Sequence, residues 1–215
     1  MVYELGKQHS ILNQFISEIR DQETQKDRMR FRRNMERVGE IIAYEISKTF
    51  TYKTSEVTTP LGEATVPVPS EKPVIAAILR AGLPLHQGVL NYFDTADNAF
   101  ISAYRKHHKN GSFDIQMEYL SAPDLNNRIL ILCDPMLATG ASMVMTYKAL
   151  LHYGSPKQTH IVSVIASAEG VEKIKKELPD HITLWVAAID DELTVTAYIV
   201  PGLGDAGDLA FGDKT

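Results

Sequence analysis

The sequence predicts an α/β fold with a mostly parallel central sheet that is flanked by helices. Two observations predict it: helical patterns recur along the chain, and they separate several of five short apolar runs, PVIAAIL, AFISAY, RILILC, HIVSVIA and TLWVAAI. Strands that are apolar on both faces and alternate with helices form parallel sheets covered on both sides. Ligands of such sheets bind beyond the carboxyl ends of the strands, so the residues just after each run are the first candidates for function.

The first fifty residues are expected to be helical. Two apolar stripes occur there at helical spacing, one formed by Leu12, Phe15, Ile16 and Ile19 and the other by Met35, Val38, Ile42 and Ile46. The arginine-rich run KDRMRFRRNMER leads into the second stripe. We interpret it as a solvated helix face paired with Glu36, Glu40 or a neighbouring subunit, and a site for an anionic effector is the alternative.

A β-hairpin is expected next, because TSEVTTPLGEATVPVPS places β-branched residues around a Pro-Leu-Gly turn. Beyond it, helical patterns cover Leu83–Phe93, Ser142–Tyr153 and Glu169–Leu178. The chain of 215 residues is expected to be one domain. Within it, residues 1–50 would be the helical part, residues 51–70 the hairpin and residues 196–215 a C-terminal loop.

Charge and cysteine content limit the function classes. The net charge of −5 argues against a protein that coats nucleic acid by bulk charge, although a small anion needs only a few local donors. Cys133 is the one cysteine, so no intrachain disulfide can form and a reducing cytoplasm is the simplest setting. Neither a membrane-spanning run nor a signal peptide is recognisable. We therefore expect a cytoplasmic protein with no nucleic acid and no membrane partner.

The stretch ILCDPMLATGAS offers the first candidate binding site. Its strand ends at Asp134, and Pro135 terminates the ladder because it has no N–H group and a fixed φ. Met136 to Ser142 are then expected to form a turn directed away from the sheet, and the chain bends at Gly140 into a helix. Free amides, the helix N-terminus and the hydroxyls of Thr139 and Ser142 converge there, as in a cradle for a phosphate monoester. An ordinary capped strand-to-helix connection explains the pattern equally well, and neither a Walker A nor a GxGxxG motif is present.

Two other strands are followed by arginine. In AAILRAGLPLHQGV, Arg80 stands at the strand's carboxyl end, and its fork of donors matches phosphate oxygens. A surface salt bridge is the alternative for this residue. In ISAYRKHHKNGSF, Arg105 begins a basic cluster. Its adjacent histidines, His107 and His108, do not predict a metal site, because neighbouring side chains rarely face one point and no partner is suitably spaced.

The segment YIVPGLGDAGDLAFG lies near the C-terminus. Four glycines and Pro201 predict a tightly bent loop with exposed backbone groups. Such groups can match the carbonyl and N–H groups at the rim of a flat heterocycle. The alternative is a flexible tail, against which stand the apolar residues Tyr198, Ile199, Val200, Leu209 and Phe211.

Together these motifs resemble the type I phosphoribosyltransferases, in the variant of the uracil phosphoribosyltransferase family. DPMLATGAS, ILRAGL and PGLGDAGD stand in the family's order, and the resemblance covers about residues 5–215. Most of the superfamily has two adjacent acids before the phosphate loop, whereas the uracil enzymes have one acid and a proline, as at Asp134-Pro135. One departure is Ala141, where the family usually has a second glycine. A methyl group is tolerable there if φ is negative.

The resemblance implies a reaction of uracil with 5-phosphoribosyl 1-diphosphate (PRPP) that gives UMP and pyrophosphate. It implies that PRPP contacts Arg80, Arg105, Asp134, Pro135, Met136, Leu137, Ala138, Thr139, Gly140, Ala141, Ser142 and Asp205. Uracil would contact Ile199, Gly204, Asp205 and Ala206. Catalytic roles would fall to Arg80 and Arg105, which offset charge on the departing pyrophosphate, and more weakly to Asp205. The segment Lys106–Ile115 departs from the more acidic continuation expected of many relatives.

The resemblance also bears on partners. Mg²⁺ would arrive with PRPP, because the sequence has no carboxylate cluster for a protein-only site. A dimer or larger homo-oligomer is implied, with the N-terminal helices and the hairpin as contact surfaces, and GTP as an effector is left open. Two other functions were weighed. A nucleotide sensor that binds RNA should have a basic face. A purine enzyme should have paired acids where this chain has Asp134-Pro135.

Overall fold

The structure is a computed structural model that describes residues 1–107 and 113–213, with side chains described outside residues 103–116. In chain order the described strands and helices are β1 (Val2–Glu4), α1 (Ile11–Arg20), α2 (Arg28–Ser47), β2 (Tyr52–Thr59), β3 (Gly62–Pro69), β4 (Val74–Leu79), α3 (Gly82–Tyr92), β5 (Asp97–His107), β6 (Phe113–Ser121), β7 (Ile129–Cys133), β8 (Met136–Leu137), α4 (Ala141–Leu150), β9 (Gln158–Ser167), α5 (Ala168–Glu177), β10 (Thr183–Asp190), β11 (Glu192–Leu193), β12 (Ile199–Val200) and α6 (Ala206–Phe211).

The central sheet has the strand order β1-β10-β9-β7-β4-β5-β6, with the short β8 pairing to β9. Every pair along this order is parallel except β5 with β6. The five apolar runs became β4, β5, β7, β9 and β10, so the prediction of a mostly parallel sheet is confirmed. The edge strands β1 and β6 were not predicted, since β1 has only three residues and β6 lacks an apolar run.

Helices cover the sheet on both faces, which explains why its strands are apolar on both faces. Ile75 of β4 packs in a cluster with α1, α2 and α3. Its neighbours Val74 and Ala76 pack on the opposite face with α4 and α5. Helices α2 and α3 approach closely because Gly39 and Gly88 face each other's backbones, and a Cβ at either position would overlap a carbonyl oxygen. Both apolar stripes predicted in the N-terminal part thus face a core.

The arginine-rich start of α2 forms ion pairs with nearby acids. Arg30 contacts Glu18 of α1 at 2.8 Å, and Arg33 contacts Glu36 at 2.6 Å. The interpretation as a solvated helix face is therefore confirmed for these residues. In the described part of the chain, no helix is both long and apolar enough to cross a membrane.

The predicted hairpin is also present. Strands β2 and β3 pair in antiparallel fashion up to Thr59 and Gly62, as a sheet separate from the central one. Most of its residues are exposed, and Leu61 at the turn is fully exposed. The hairpin therefore projects from the chain's own core.

Candidate functional site

The two motifs that follow β4 and β7 lie side by side at the carboxyl edge of the sheet. These strands are parallel neighbours, with Ala77 opposite Cys133. Immediately beyond them, Gly82 comes so close to β7 that a Cβ on it would be 2.9 Å from the Cys133 carbonyl oxygen. Arg80 and Asp134 therefore emerge next to each other, as expected for a site built at this edge.

The loop after β7 stays attached to the sheet for longer than predicted. The Pro135 carbonyl accepts hydrogen bonds from the Val164 and Ile165 amides at 3.1 and 3.0 Å. Met136 and Leu137 then form β8 beside β9. The prediction that these two residues belong to a turn directed away from the sheet was wrong, because the proline's carbonyl and the next residues find backbone partners on β9. Asp134 is half-buried, and its Oδ1 accepts from the Met136 amide at 3.4 Å.

Gly140 is the residue that turns the loop into α4. Its φ of +75° lies in the left-handed region that favours glycine. Ala141 follows as the first helical residue, so it has the negative φ that makes its methyl group tolerable. Its amide donates weakly to Thr139 Oγ1 at 3.4 Å. Since the first amides of a helix have no intrahelical acceptor, the N-terminus at Ala141 and Ser142 presents N–H groups at the end of this loop.

The N-terminal end of helix α5 packs against the same loop. The buried Ser167 hydroxyl donates to the Ala138 carbonyl at 2.6 Å and accepts from the Gly170 amide at 2.8 Å, so it caps α5 and holds the loop. Gly170 packs so closely that a Cβ would overlap the Ala138 carbonyl and lie 2.6 Å from the Leu137 carbonyl. The sequence analysis missed both residues, although Ser167 directly follows an apolar run and could have been found by that criterion.

Arg80 contacts the C-terminal segment. Its Nη2 donates to Asp208 Oδ1 at 2.9 Å and to the Gly212 carbonyl at 3.2 Å, with 37% of the side chain exposed. Among the described residues, its buried Nε finds no hydrogen-bond partner. The alternative of a salt bridge is thus realised, and it brings together motifs that lie 128 residues apart.

The C-terminal segment is ordered around its glycines, unlike a flexible tail. Gly202 and Gly204 have φ values of +59° and +95°. Asp205 Oδ1 accepts from the Gly207 and Asp208 amides at 2.8 and 3.0 Å and so caps α6. The side chains of Ile199 and Ala206 are buried, which leaves their backbone groups as the parts able to meet a ligand.

Two buried groups near the edge have shifted pKa values. Burial, and secondarily the nearby Asp134 carboxylate, raises the pKa of the Cys133 thiol, so this cysteine is an unreactive core residue. At the end of β10, burial opposes ionisation of Asp190, but hydrogen bonds from Arg20 and the Gly202 amide outweigh it and lower the pKa. This carboxylate was also missed by the sequence analysis.

Arg105 is placed only by its backbone. It lies in β5 opposite Ile115 of β6, and β5 is the neighbour of β4. Its side chain is outside the described part of the structure. Half of the segment Lys106–Ile115, whose sequence departs from that expected of many relatives, lies outside the described residues, at 108–112.

A cavity of about 350 Å³ borders α6. It is lined by Gln25, Lys26, Arg28, Asp205, Asp208, Leu209 and Asp213. None of the residues Asp134–Ser142 lines this cavity. Across the described residues, no group of three or more His, Cys, Asp or Glu side chains is arranged to hold a metal ion.

Comparison with known proteins identifies the family. The chain matches the family model for uracil phosphoribosyltransferase over residues 6–213. A uracil phosphoribosyltransferase from Porphyromonas gingivalis is 58% identical over 213 residues, which cover 99% of each chain. One from Pyrococcus furiosus is 37% identical over 203 residues, covering 93% of this chain and 85% of the relative.

A solved structure has the same fold. The AQ2163 protein from Aquifex aeolicus superposes with a TM-score of 0.88 at 28% identity and covers 99% of this chain and 98% of its own. Because the family model and both relatives cover nearly the whole chain, the mostly parallel sheet is that of a type I phosphoribosyltransferase, and the chain belongs to the uracil phosphoribosyltransferase family.

Proposed function

We propose that this chain transfers the phosphoribosyl group of PRPP to uracil, giving UMP and pyrophosphate, at the carboxyl edge of its sheet. The observation that carries the proposal is the contact of Arg80 with Asp208 at 2.9 Å. This contact joins two parts of the chain. The family resemblance assigns the loop at Arg80 to pyrophosphate and the segment that ends at Asp208 to the base. The loop at Asp134–Ser142 lies beside Arg80. The sites proposed for pyrophosphate, for the ribose 5′-phosphate and for the base are therefore at one edge of the sheet.

Each part of PRPP is assigned to a separate group of residues. The 5′-phosphate would bind the loop from Met136 to Ser142, where the amides at the start of α4 suit an anion. Asp134 would hold the ribose hydroxyls. Arg80 would bind the pyrophosphate, and we assign Arg105 to the same task on the neighbouring strand. Pyrophosphate would share or compete for the guanidinium of Arg80, of which only Nη2 contacts Asp208.

The reaction forms a bond from uracil N1 to the ribose C1′ and breaks the bond from C1′ to the pyrophosphate oxygen. The arginines offset the charge that grows on the leaving group. The backbone around Gly204 and Ala206 would orient uracil against C1′ and stabilise the base as N1 loses its proton, which leaves with pyrophosphate or passes to water. Asp205 Oδ1 is engaged by the cap of α6, so a role toward the substrates falls to Oδ2.

Further features of the proposal concern partners and setting. PRPP would bind as its Mg²⁺ complex, so the ion is part of the substrate. The chain would form a homodimer or larger homo-oligomer in the cytoplasm, and the projecting hairpin with the fully exposed Leu61 supports such an assembly. Whether GTP is an effector is tested by comparing the rate of UMP formation with and without GTP.

The first experiment mixes the protein with PRPP, Mg²⁺ and one of uracil, cytosine, hypoxanthine or adenine, and follows nucleotide formation. We expect UMP from uracil and no product from the other bases. A purine nucleotide would retain the assignment of the PRPP loop and overturn that of the base segment. Folded protein that binds PRPP but forms no nucleotide would overturn the proposed reaction.

A further inference from the structure

An ion pair outside the motifs holds the turn that precedes the base-binding segment. Arg20 is the last residue of α1, and its guanidinium contacts both oxygens of Asp190 at 2.8 and 2.7 Å. Asp190 ends β10, and its side chain is only 8% exposed. A two-point contact between buried or half-buried groups fixes orientation more tightly than an exposed ion pair does.

Both groups of the pair also bind the backbone of Gly202. Asp190 Oδ2 accepts a hydrogen bond from the Gly202 amide at 2.9 Å, and Arg20 Nη1 donates to the Gly202 carbonyl at 2.9 Å. The N–H and C=O groups of one residue are therefore both held by the same ion pair. Gly202 itself cannot be replaced without strain, because its φ is +59° and a Cβ would overlap the Ile199 carbonyl.

This arrangement determines where the backbone of the next residues lies. Gly202 is two residues before Gly204 and three before Asp205. The intervening Leu203 is buried, so the chain between the ion pair and the start of α6 is short and anchored. A displacement at Gly202 is therefore transmitted to Gly204, Asp205 and Ala206, whose backbone would meet the base.

We propose that Arg20 and Asp190 are positioning residues for the base, acting through Gly202, and that they affect the KM for uracil much more than the KM for PRPP. This inference rests on the proposed function. The effect on the two substrates differs because the pair contacts the C-terminal segment, whereas the PRPP loop is held by β9 and α5. Asp205 is the one residue of that segment assigned to both substrates. Asp190 would not touch uracil, so no proton transfer is assigned to it.

The test compares three variants. Arg20→Gln removes the charge and the two-point contact, Arg20→Lys retains the charge but has a single nitrogen in place of the planar fork, and Arg30→Gln is the matched control. Arg30 also makes a two-point ion pair, to Glu18 at 2.9 and 2.8 Å, but it links α1 to α2 and does not contact the C-terminal segment. Steady-state rates are measured with each substrate varied in turn.

Arg20→Gln is expected to raise the KM for uracil by about 10-fold or more, since it removes charge-assisted hydrogen bonds, with the KM for PRPP changed less than about 2-fold. Arg20→Lys should recover part of the loss, and Arg30→Gln should change neither KM. Equal increases in both KM values, or an unchanged KM for uracil in folded Arg20→Gln protein, would overturn the proposal.

Hydrogen exchange keeps the test independent of the reaction. In the substrate-free protein, the Gly202 amide should exchange faster in Arg20→Gln than in the wild type or in Arg30→Gln, because its acceptor Asp190 is no longer held. Unchanged exchange would show that Arg20 does not position this turn. A wild-type protein that makes no UMP would defeat the proposed function, while the exchange result would still decide whether the pair holds Gly202.

Discussion

The loop proposed to bind PRPP, residues 134–142 (the PRPP loop), and the segment proposed to bind the base, residues 199–206 (the base segment), lie at the same sheet edge but are held by different contacts. Backbone contacts fix the first: the Pro135 carbonyl and β8 pair with β9, and the Ala138 carbonyl accepts from Ser167. Charged side chains fix the second, through the Arg20–Asp190 pair on Gly202. The PRPP loop should therefore be sensitive to added volume, and the base segment to lost charge.

Arg80 lies beside the PRPP loop and pairs with Asp208 just after the base segment, and its removal should have the largest effect. Arg80→Ala is expected to lower kcat/KM for PRPP by about 100-fold or more, because it removes a donor aimed at charge that develops on the leaving group. The free energy of unfolding should fall by less than about 1 kcal/mol, since the pair with Asp208 is partly exposed. Steady-state kinetics and denaturant titration measure the two effects.

A matched control for that variant is available at the opposite edge of the sheet. Arg128 precedes β7 and pairs with Asp97 at 2.8 Å. Arg128→Ala should lose a similar ion pair and retain PRPP kinetics. If Arg80→Ala and Arg128→Ala had the same PRPP kinetics, the assignment of Arg80 to pyrophosphate would be wrong.

Added volume at Gly170 tests the region that depends on backbone contacts. A methyl group there would overlap the Ala138 carbonyl, so Gly170→Ala should cost about 1–3 kcal/mol of unfolding free energy as the loop or α5 shifts. The shift should raise the KM for PRPP by about 10-fold or more. We expect a smaller change in the KM for uracil, whose segment α5 does not support.

Glu172→Ala provides the control on the same helix, because Glu172 is exposed on α5. Its unfolding free energy should change by less than about 0.5 kcal/mol, as for other exposed surface substitutions. A Gly170→Ala protein that is as stable as this control and has wild-type KM values would show that the close packing of α5 on the loop does not matter.

Both regions rest on the central sheet, and the stability of this sheet should depend on pH through a buried histidine. Burial lowers the pKa of His160 on β9 from 6.5 to about 4, and its Nδ1 accepts a hydrogen bond from Trp185 at 3.0 Å. The pKa of His160 is lower in the folded than in the unfolded protein. The contribution of neutral His160 to the free energy of unfolding is therefore complete above pH 6.5 and is lost as pH falls toward 4. The loss should reach about 3 kcal/mol at pH 4.

Denaturant titrations of wild type and His160→Gln at pH 7 and pH 5 isolate this effect. Glutamine retains an acceptor for Trp185 and does not titrate, so its stability should fall less between the two pH values. Carboxylates with lowered pKa values, such as Glu18, are the same in both proteins and cancel in the comparison. Equal losses in the two proteins would assign the acid sensitivity to other groups.

The sequence predicted the fold and the local motifs better than the contacts that support them. Both faces of the sheet were predictable because the apolar runs are continuous, and Asp134 and Arg80 were selected as candidate site residues because they directly follow strands. The same criterion, applied to every strand, would also have selected Ser167 and Asp190. What it could not supply is partnership across the chain, as between Arg20 and Gly202, which are 182 residues apart.

Those distant partners depend on how α1 and β10 pack, and a local pattern carries no information about that. The wrong prediction of a turn at Met136 and Leu137 has a similar cause. Pro135 cannot donate to the ladder, but its carbonyl can accept, and whether it does depends on the position of Val164 and Ile165. The strands and the motifs that follow them were thus predictable from the local sequence, whereas the distant residues that contact these motifs were not.

The smallest expected effect concerns Ala141, where the family usually has glycine. Its position as the first helical residue predicts that Ala141→Gly costs no more than about 1 kcal/mol of unfolding free energy, through added freedom of the unfolded chain. The KM for PRPP should stay within about 2-fold, because the amide donor is retained.

Gly140→Ala is the contrasting variant at the preceding residue. It places a side chain at φ +75° and a Cβ 3.1 Å from the Gly170 carbonyl, so it should destabilise the protein more than Ala141→Gly and raise the KM for PRPP. If instead Ala141→Gly lowered the KM for PRPP several-fold, the methyl group would be disturbing the loop. The turn into α4 would then need two glycines, and the tolerance inferred from its helical position would be wrong.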